Sequence, residues 1–398
     1  MRSFTVGRAF GIPIRVGLTF LLVLPLLAWL IGTGVGRYVE AFNSFLGANL
    51  DAAALTAGSM PYVLGTVAAI GLFAAVVLHE LGHSLVALRF GVGIESITLW
   101  FLGGIAQLTE MSEEWKEEFA VAIAGPAVSL ALGALSYGAF LIVPSGQLSP
   151  VRFLFGYFAV MNIALAVFNL LPGFPMDGGR VLRALLARNR PYAQATQSAT
   201  RVGQLFAIGL GLIGLLSFNV FWLAIAFFIY VGAASESRQT TMKAAFEGVR
   251  VRDVMTQADD VHAVTPETSV AELLDRMFRE RHTGYPVLED GEIVGVVTLS
   301  DTREIKEVER DAYRVAEVMT AEVTTIAASS EAITAMNAMQ STGVGRLPVI
   351  DADGVFAGLI SRTDLMTALN IIQSSGTRGQ SELSTGTPRR PDPEESPR

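Results

Sequence analysis

Charged residues and histidines are sparse over the first 240 positions, and the uncharged gaps between them predict membrane-spanning helices, which need about 20 mostly apolar residues each. Arg15 to Arg37 leaves 21 uncharged residues, Asp51 to His79 leaves 27, Glu118 to Arg152 leaves 33 and Arg152 to Asp177 leaves 24. Each gap accommodates one crossing. The stretch from Arg201 to Glu236 leaves 34, and as one helix it would run about 51 Å, too long for a hydrocarbon core of about 30 Å. A break at Ser217-Phe218-Asn219 turns it into two short spans and brings the total to six. One apolar run is too short to cross: Glu95 to Glu110 encloses 14 uncharged residues, rich in β-branched and aromatic types and broken by Gly103-Gly104. That pattern predicts a re-entrant β-hairpin, with an ordinary cytoplasmic loop as the alternative.

Composition agrees with a bilayer body carrying a soluble attachment. Of 398 residues, 51% are hydrophobic and only 17% charged, against about 25% charged in soluble domains. Residues 1–240 carry a net charge of +2 and residues 241–398 a net charge of −10. Such an acidic attachment argues against a nucleic-acid partner, which would need a basic stripe. With no cysteine in the chain, disulfides and Cys-ligated metals are excluded. Six crossings put both termini on one side. Eleven Lys and Arg residues (Arg2, Arg8, Arg15, Arg89, Lys116, Arg180, Arg183, Arg188, Arg190, Arg201, Arg238) fall on that side and only Arg37 and Arg152 opposite, so the positive-inside rule makes it cytoplasmic. The basic residues before the first span could also belong to a signal peptide, but the later spans favour a retained anchor.

The second span ends in His79-Glu80-Leu81-Gly82-His83. Histidines at i and i+4 share one helix face and can both reach one Zn²⁺, while Glu80 can serve as general base toward water. Ionisable groups inside a span are costly and usually functional. Catalytic zinc takes three protein ligands. The membrane part holds no other histidine, so the third is expected to be a carboxylate: Asp177, where Pro172, Gly173 and Pro175 break the chain at the end of span four. The alternative role for Asp177 is to cap the following helix.

Taken with Gly125-Pro126 in span three and Asn169-Leu170-Leu171-Pro172 before Met176-Asp177-Gly178-Gly179-Arg180, this constellation resembles the site-2 protease family of intramembrane zinc metalloproteases over residues 1–235. The resemblance implies zinc held by His79, His83 and Asp177, Glu80 as base, Asn169 steadying the scissile carbonyl, and the Gly103-Gly104 hairpin lying beside the substrate as a membrane-embedded sheet. Its substrates would be membrane proteins cut within or near their spans in the lipid bilayer. Ser129 departs from the pattern, since many relatives have Asn there.

The acidic part contains a repeat of about 63 residues. Asp253-Val254-Met255-Thr256 returns as Glu317-Val318-Met319-Thr320, Tyr285-Pro286-Val287 as Leu347-Pro348-Val349, and Gly295 to Asp301 as Gly358 to Asp364. Each unit alternates short β-rich runs with a helical stretch, Val270 to Arg281 and Ala332 to Ser341, which predicts an α/β module. It resembles a tandem CBS-domain pair, 249–308 and 313–370, followed by a tail at 374–398 whose Ser, Thr, Pro and Arg content predicts disorder. The resemblance implies an adenine nucleotide as regulator, contacted by Thr298, Asp301, Ser361 and Asp364, and a surface through which two chains could pair. Both aspartates have helix capping as their plain alternative. The expected fold is therefore a multi-pass α-helical membrane domain over 1–240, with six spans and a re-entrant hairpin, plus a cytoplasmic CBS pair. The rival function is a CBS-regulated channel or transporter that uses the intramembrane His, Glu and Asp as an ion path.

Overall fold

The computed structural model describes residues 3–100, 103–108 and 113–384. The chain divides into two compact units, Met1–Arg238 and Gln239–Arg398. The first begins with β1 (Ser3–Ala9), β2 (Ile12–Gly17), α1 (Leu18–Leu46), a short α2 (Ala52–Thr56) and α3 (Met60–Arg89). It continues through β3 (Ile94–Trp100), β4 (Gly103–Leu108), α4 (Trp115–Ile142), α5 (Ser149–Asn169), α6 (Asp177–Ala187), α7 (Tyr192–Leu216) and α8 (Val220–Ala245). Among the described residues six helices, α1, α3, α4, α5, α7 and α8, are long and apolar enough to cross a membrane.

The interruption expected at 217–219 separates α7 from α8. Phe218 adopts a left-handed φ of 50°, and Asn219 Oδ1 accepts hydrogen bonds from the backbone N–H groups of Phe221 and Trp222 at 3.1 and 3.3 Å. One helix is thus terminated and the next one capped.

Large side chains from α1, α3, α4 and α5 form the main helical core, with Ile31, Val35, Val39, Phe140, Phe153 and Tyr157 all buried. α1 and α3 approach closely because Gly65 has no side chain: a Cβ there would lie 2.2 Å from the Ala28 carbonyl oxygen. Small residues at crossings are how helices pack where no hydrophobic force separates lipid from protein.

The segment expected as a hairpin contains two strands. β3 and β4 pair antiparallel, with Trp100 opposite Gly103 and Ile97 opposite Ala106. They belong to a four-stranded sheet in the order β1-β2-β3-β4, whose other half was not anticipated. β1 and β2 form an antiparallel hairpin around Phe10-Gly11, both left-handed at φ 52° and 81°, the geometry a two-residue hairpin turn requires. β2 then pairs in parallel with β3, Ile14 against Ile97 and Val16 against Leu99. The arginines expected to precede the first span therefore include Arg8 and Arg15 on strands. The inner face of this sheet packs on α3: Ile12 and Ile97 meet Leu81, while Val16 and Leu99 meet Phe73, Val76 and Val77. Those turns of α3 carry the His79 motif.

The second unit contains α9 (Val251–Val254), β5 (Thr256–Gln257), α10 (Val270–Glu280), β6 (Gly284–Glu289), β7 (Glu292–Thr298) and α11 (Val315–Val318). After these come β8 (Ile326–Ala327), α12 (Ala332–Thr342), β9 (Arg346–Ile350), β10 (Phe356–Ser361) and α13 (Arg362–Ser384). The sequence repeat is structural: α10, β6 and β7 recur as α12, β9 and β10. Each half has its own core, one around Leu273, Tyr285 and Val297 and the other around Met339, Leu347 and Ile360. α13 extends to Ser384, its first turns fixed by buried Leu365 and Leu369, and so overlaps the start of the stretch 374–398. Residues 385–398 of that stretch lie outside the described residues.

Candidate metal centre

Three ligand atoms from two distant segments converge on one point. His79 Nε2 and His83 Nε2 lie 3.2 Å apart, and Asp177 Oδ2 lies 3.2 Å from the first and 3.1 Å from the second. A tetrahedral site with metal–ligand distances of about 2.0–2.1 Å has edges of about 3.3–3.4 Å, so the spacing fits one small cation. The rings are oriented for it. His83 Nδ1 donates to the Val121 carbonyl at 2.7 Å, which leaves Nε2 as the lone-pair nitrogen of the neutral imidazole. His79 Nδ1 is held at 2.9 Å by Ser129 Oγ. Three electron-rich atoms turned toward one another inside a buried site repel unless a cation lies between them.

Gly125 keeps this space open. A Cβ at 125 would lie 2.2 Å from His83 Nε2 and 2.7 Å from His79 Nε2. The nitrogen and carboxylate donor set suits zinc, and His79, His83 and Asp177 form the one cluster among the described residues able to hold a metal ion.

Asp177 is the first residue of α6. The loop 170–176 before it is folded tightly: a Cβ on Gly178 would meet the Leu171 carbonyl oxygen at 2.2 Å, and one on Gly179 would meet Gly173 at 2.7 Å. The two glycines after Asp177 therefore let the loop double back and bring the carboxylate to α3. Glu80 is half-buried, and its methylene lies against β4: a Cβ on Gly104 would sit 2.6 Å from Glu80 Cγ. The hairpin edge and the candidate base are adjacent.

Asn169 closes α5, where its amide donates to the Leu165 carbonyl at 3.0 Å, so one of its two N–H donors is engaged in its own helix. Ser129, noticed in the sequence only as a departure, packs against His79 as its ring partner. Nothing local in the sequence signals that pairing, because 50 residues separate the two.

In the second unit a cleft of about 720 Å³ is lined by Thr298, Asp301 and Ser361, together with Arg303 and Arg346. Asp364 is not on its wall. Both aspartates bond back to the end of the preceding strand: Asp301 Oδ2 accepts from Thr298 N and Oγ1 at 2.7 and 2.8 Å within a turn, and Asp364 Oδ2, in the first turn of α13, accepts from Ser361 N and Oγ at 2.9 and 2.8 Å.

A helix-borne histidine pair, a carboxylate from a broken helix and a neighbouring glutamate, set in a bundle of spans, define a membrane metalloprotease. Comparison with known proteins gives the same class. Peptidase family M50 matches residues 67–149 and 144–210, and the CBS domain matches 251–305 and 315–371. The zinc metalloprotease MJ0392 of Methanocaldococcus jannaschii is 34% identical over 376 residues, covering 93% of this chain and 97% of the relative. The solved site-2 protease of Methanocaldococcus jannaschii is 34% identical, covering 59% of this chain and 95% of that one at a TM-score of 0.39. A crystal structure of CBSX2 in complex with AMP is 31% identical, covering 31% of this chain and 98% of that one at a TM-score of 0.28.

The chain belongs to peptidase family M50, the site-2 protease family of zinc metalloproteases, and carries a tandem CBS pair. It is a multi-pass membrane protein. The match to a peptidase family disfavours the ion-path reading.

Proposed function

We propose that His79, His83 and Asp177 are the zinc ligands and Glu80 the general base of a protease that cuts membrane-protein substrates within or near their spans. The observation that carries this reading is the convergence of three ligand atoms at 3.1–3.2 Å from α3 and α6. Zinc bound there supplies Lewis acidity to water and to the peptide carbonyl. Glu80 takes the proton of the attacking water at its carboxylate and returns it to the leaving amine. Asn169 supports the developing negative charge at the carbonyl with the second N–H of its amide, the first staying on the Leu165 carbonyl.

A helical substrate hides its carbonyls, so it must be partly unwound. β4 pairs with β3 on one side, and an unwound segment added to its other side would satisfy its own backbone groups next to Glu80. Gly103 and Gly104 keep that approach clear. Metal content tests the ligand set: His79→Ala, His83→Ala and Asp177→Ala should each lose zinc from the purified protein. Retention of zinc by any of them would remove that residue from the set.

The charge distribution supports cytoplasmic termini and a cytoplasmic CBS unit. Because the chain has no cysteine, one cysteine placed near the C-terminus can be probed with a membrane-impermeant thiol reagent. Protection in intact cells supports this orientation, and labelling reverses it.

The cleft in the second unit supports an adenine nucleotide as regulator. Thr298 and Ser361 line it, and Asp301 presents a second carboxylate oxygen for the ribose hydroxyls beyond the one its own turn uses. Asp364 occupies the equivalent turn of the other half. Losing a hydrogen bond to a charged group costs about 1.5–3 kcal/mol, roughly 10- to 150-fold in affinity. Calorimetry with AMP, ADP and ATP on wild type and Asp301→Ala measures this. If none of the three binds at millimolar concentration, the pair is left with a structural or dimerising role. Pairing of two chains through the CBS unit is supported by exposed Phe278 on α10 and Ile371 on α13, 86% and 62% exposed. Light scattering in detergent gives the number of chains.

A further inference from the structure

We infer that Arg183 is a positioning residue that sets Asp177 against the histidine pair, working through the two carboxylates of Glu118 and Glu236. This rests on Asp177 being a ligand. Arg183 lies on α6, the helix that Asp177 begins, and only 4% of its side chain is exposed. Its Nε donates to Glu118 Oε1 at 2.7 Å, and its Nη1 donates to Glu236 Oε1 at 2.5 Å. The guanidinium lies over the rings of Phe174 and Tyr192, at 4.9 and 4.8 Å from their centroids. One cation thus gathers α4, α6, α7, α8 and the loop that delivers Asp177.

Glu118, Phe174 and Glu236 each connect to the metal site through neighbouring residues. Glu118 stands three residues before Val121, whose carbonyl fixes the His83 ring. Phe174 stands three residues before Asp177. Glu236 lies one turn beyond Gly232, which is so close to the loop that a Cβ there would meet Pro175 Cδ at 2.7 Å. Burying these charges is costly. Side-chain exposure is 0% at Glu118, and its Oε2 has no hydrogen-bond partner among the described residues. Buried ion pairs can often be replaced by apolar residues without loss of stability, whereas breaking one leaves a charge unpaired. What such a pair secures is geometry, because the planar guanidinium fork binds carboxylates in fixed directions.

The test is the zinc dissociation constant of the full-length protein in detergent, measured by chelator competition alongside thermal unfolding. Glu118→Gln combined with Arg183→Met removes both buried charges. It should weaken zinc binding by about 10- to 100-fold, the usual cost of losing a group that orients a ligand, while unfolding stays near wild type. Arg183→Lys, a point charge without the fork, should fall between. Glu236→Gln, at a partly exposed position, should weaken zinc at the low end of that range, and it decides the matter if the double variant fails to fold. Wild-type zinc affinity in Glu236→Gln and in the double variant, with zinc lost in Asp177→Ala, overturns the inference and leaves the ligand set standing. Zinc retained by Asp177→Ala overturns both.

Discussion

Replacing Gly125 by alanine adds one methyl group at the most crowded point of the metal centre. The new Cβ would stand 2.2 Å from His83 Nε2 and 2.7 Å from His79 Nε2, so an imidazole must retreat by roughly 1 Å to regain ordinary van der Waals separation. Neither ring is free to do so, since Val121 and Ser129 hold their Nδ1 atoms at 2.7 and 2.9 Å. Sites need their ligands within about 0.5 Å of the working geometry. Losing the orientation of a metal ligand costs about 10- to 100-fold in metal affinity, or about 1.4–2.7 kcal/mol. Alanine also improves helix propensity by about 1 kcal/mol, an opposing effect too small to compensate. Gly138→Ala on the same helix isolates that second effect, because a Cβ at 138 meets nothing within 4 Å. Zinc affinity, measured by dialysis against graded chelator, should fall by about 10- to 100-fold for Gly125→Ala and stay unchanged for Gly138→Ala. Wild-type zinc affinity in Gly125→Ala would refute the packing argument and with it the proposed position of the metal.

Ser129→Ala removes the partner of His79 Nδ1 and should weaken zinc by about 10-fold, read by the same chelator titration. Gly104→Ala pushes a Cβ to 2.6 Å from Glu80 Cγ and should lower cleavage by about 10- to 100-fold with zinc content intact; normal turnover would mean that the β4 edge is not beside the working carboxylate. In the CBS unit, burial pushes the Glu280 carboxyl up, but hydrogen bonding from the Tyr285 hydroxyl at 2.8 Å, His262 at 2.9 Å and Arg276 together hold it below its ordinary value. Its contribution is therefore complete above the unfolded carboxylate pKa and lost as pH falls through the lower folded one. Glu280→Gln should flatten the decline in unfolding temperature of this unit below about pH 5.

What the sequence made legible was whatever a local pattern encodes. Gaps between charges located the spans, and the need to divide 34 uncharged residues located the break that Phe218 and Asn219 make. A short β-prone run broken by Gly103-Gly104 marked the β3–β4 pair, although both glycines lie on β4 itself, and the repeat of about 63 residues reappears as two similar α/β halves. The histidine pair was readable because i and i+4 share a helix face, and Asp177 because prolines and glycines around it break a span. The β1–β2 hairpin was passed over although Phe4, Val6, Ile12, Ile14 and Val16 alternate around Phe10-Gly11, because the arginines among them read as a flank of the first span. Ser129 and Arg183 were illegible for a different reason. Their partners lie 50 to 65 residues away, and only packing of α3, α4, α6 and α8 brings them together.

Cleavage by Glu80→Gln tests the central claim most directly. Full-length protein is reconstituted in lipid with a single-span substrate, and zinc per chain is measured on the same preparation. Glutamine keeps the size of the side chain but cannot accept the proton, so zinc should stay at the wild-type level while the rate of peptide-bond cleavage falls by about 100-fold or more. Cleavage at the wild-type rate with zinc bound would contradict the assignment of Glu80 as the base and the mechanism built on it.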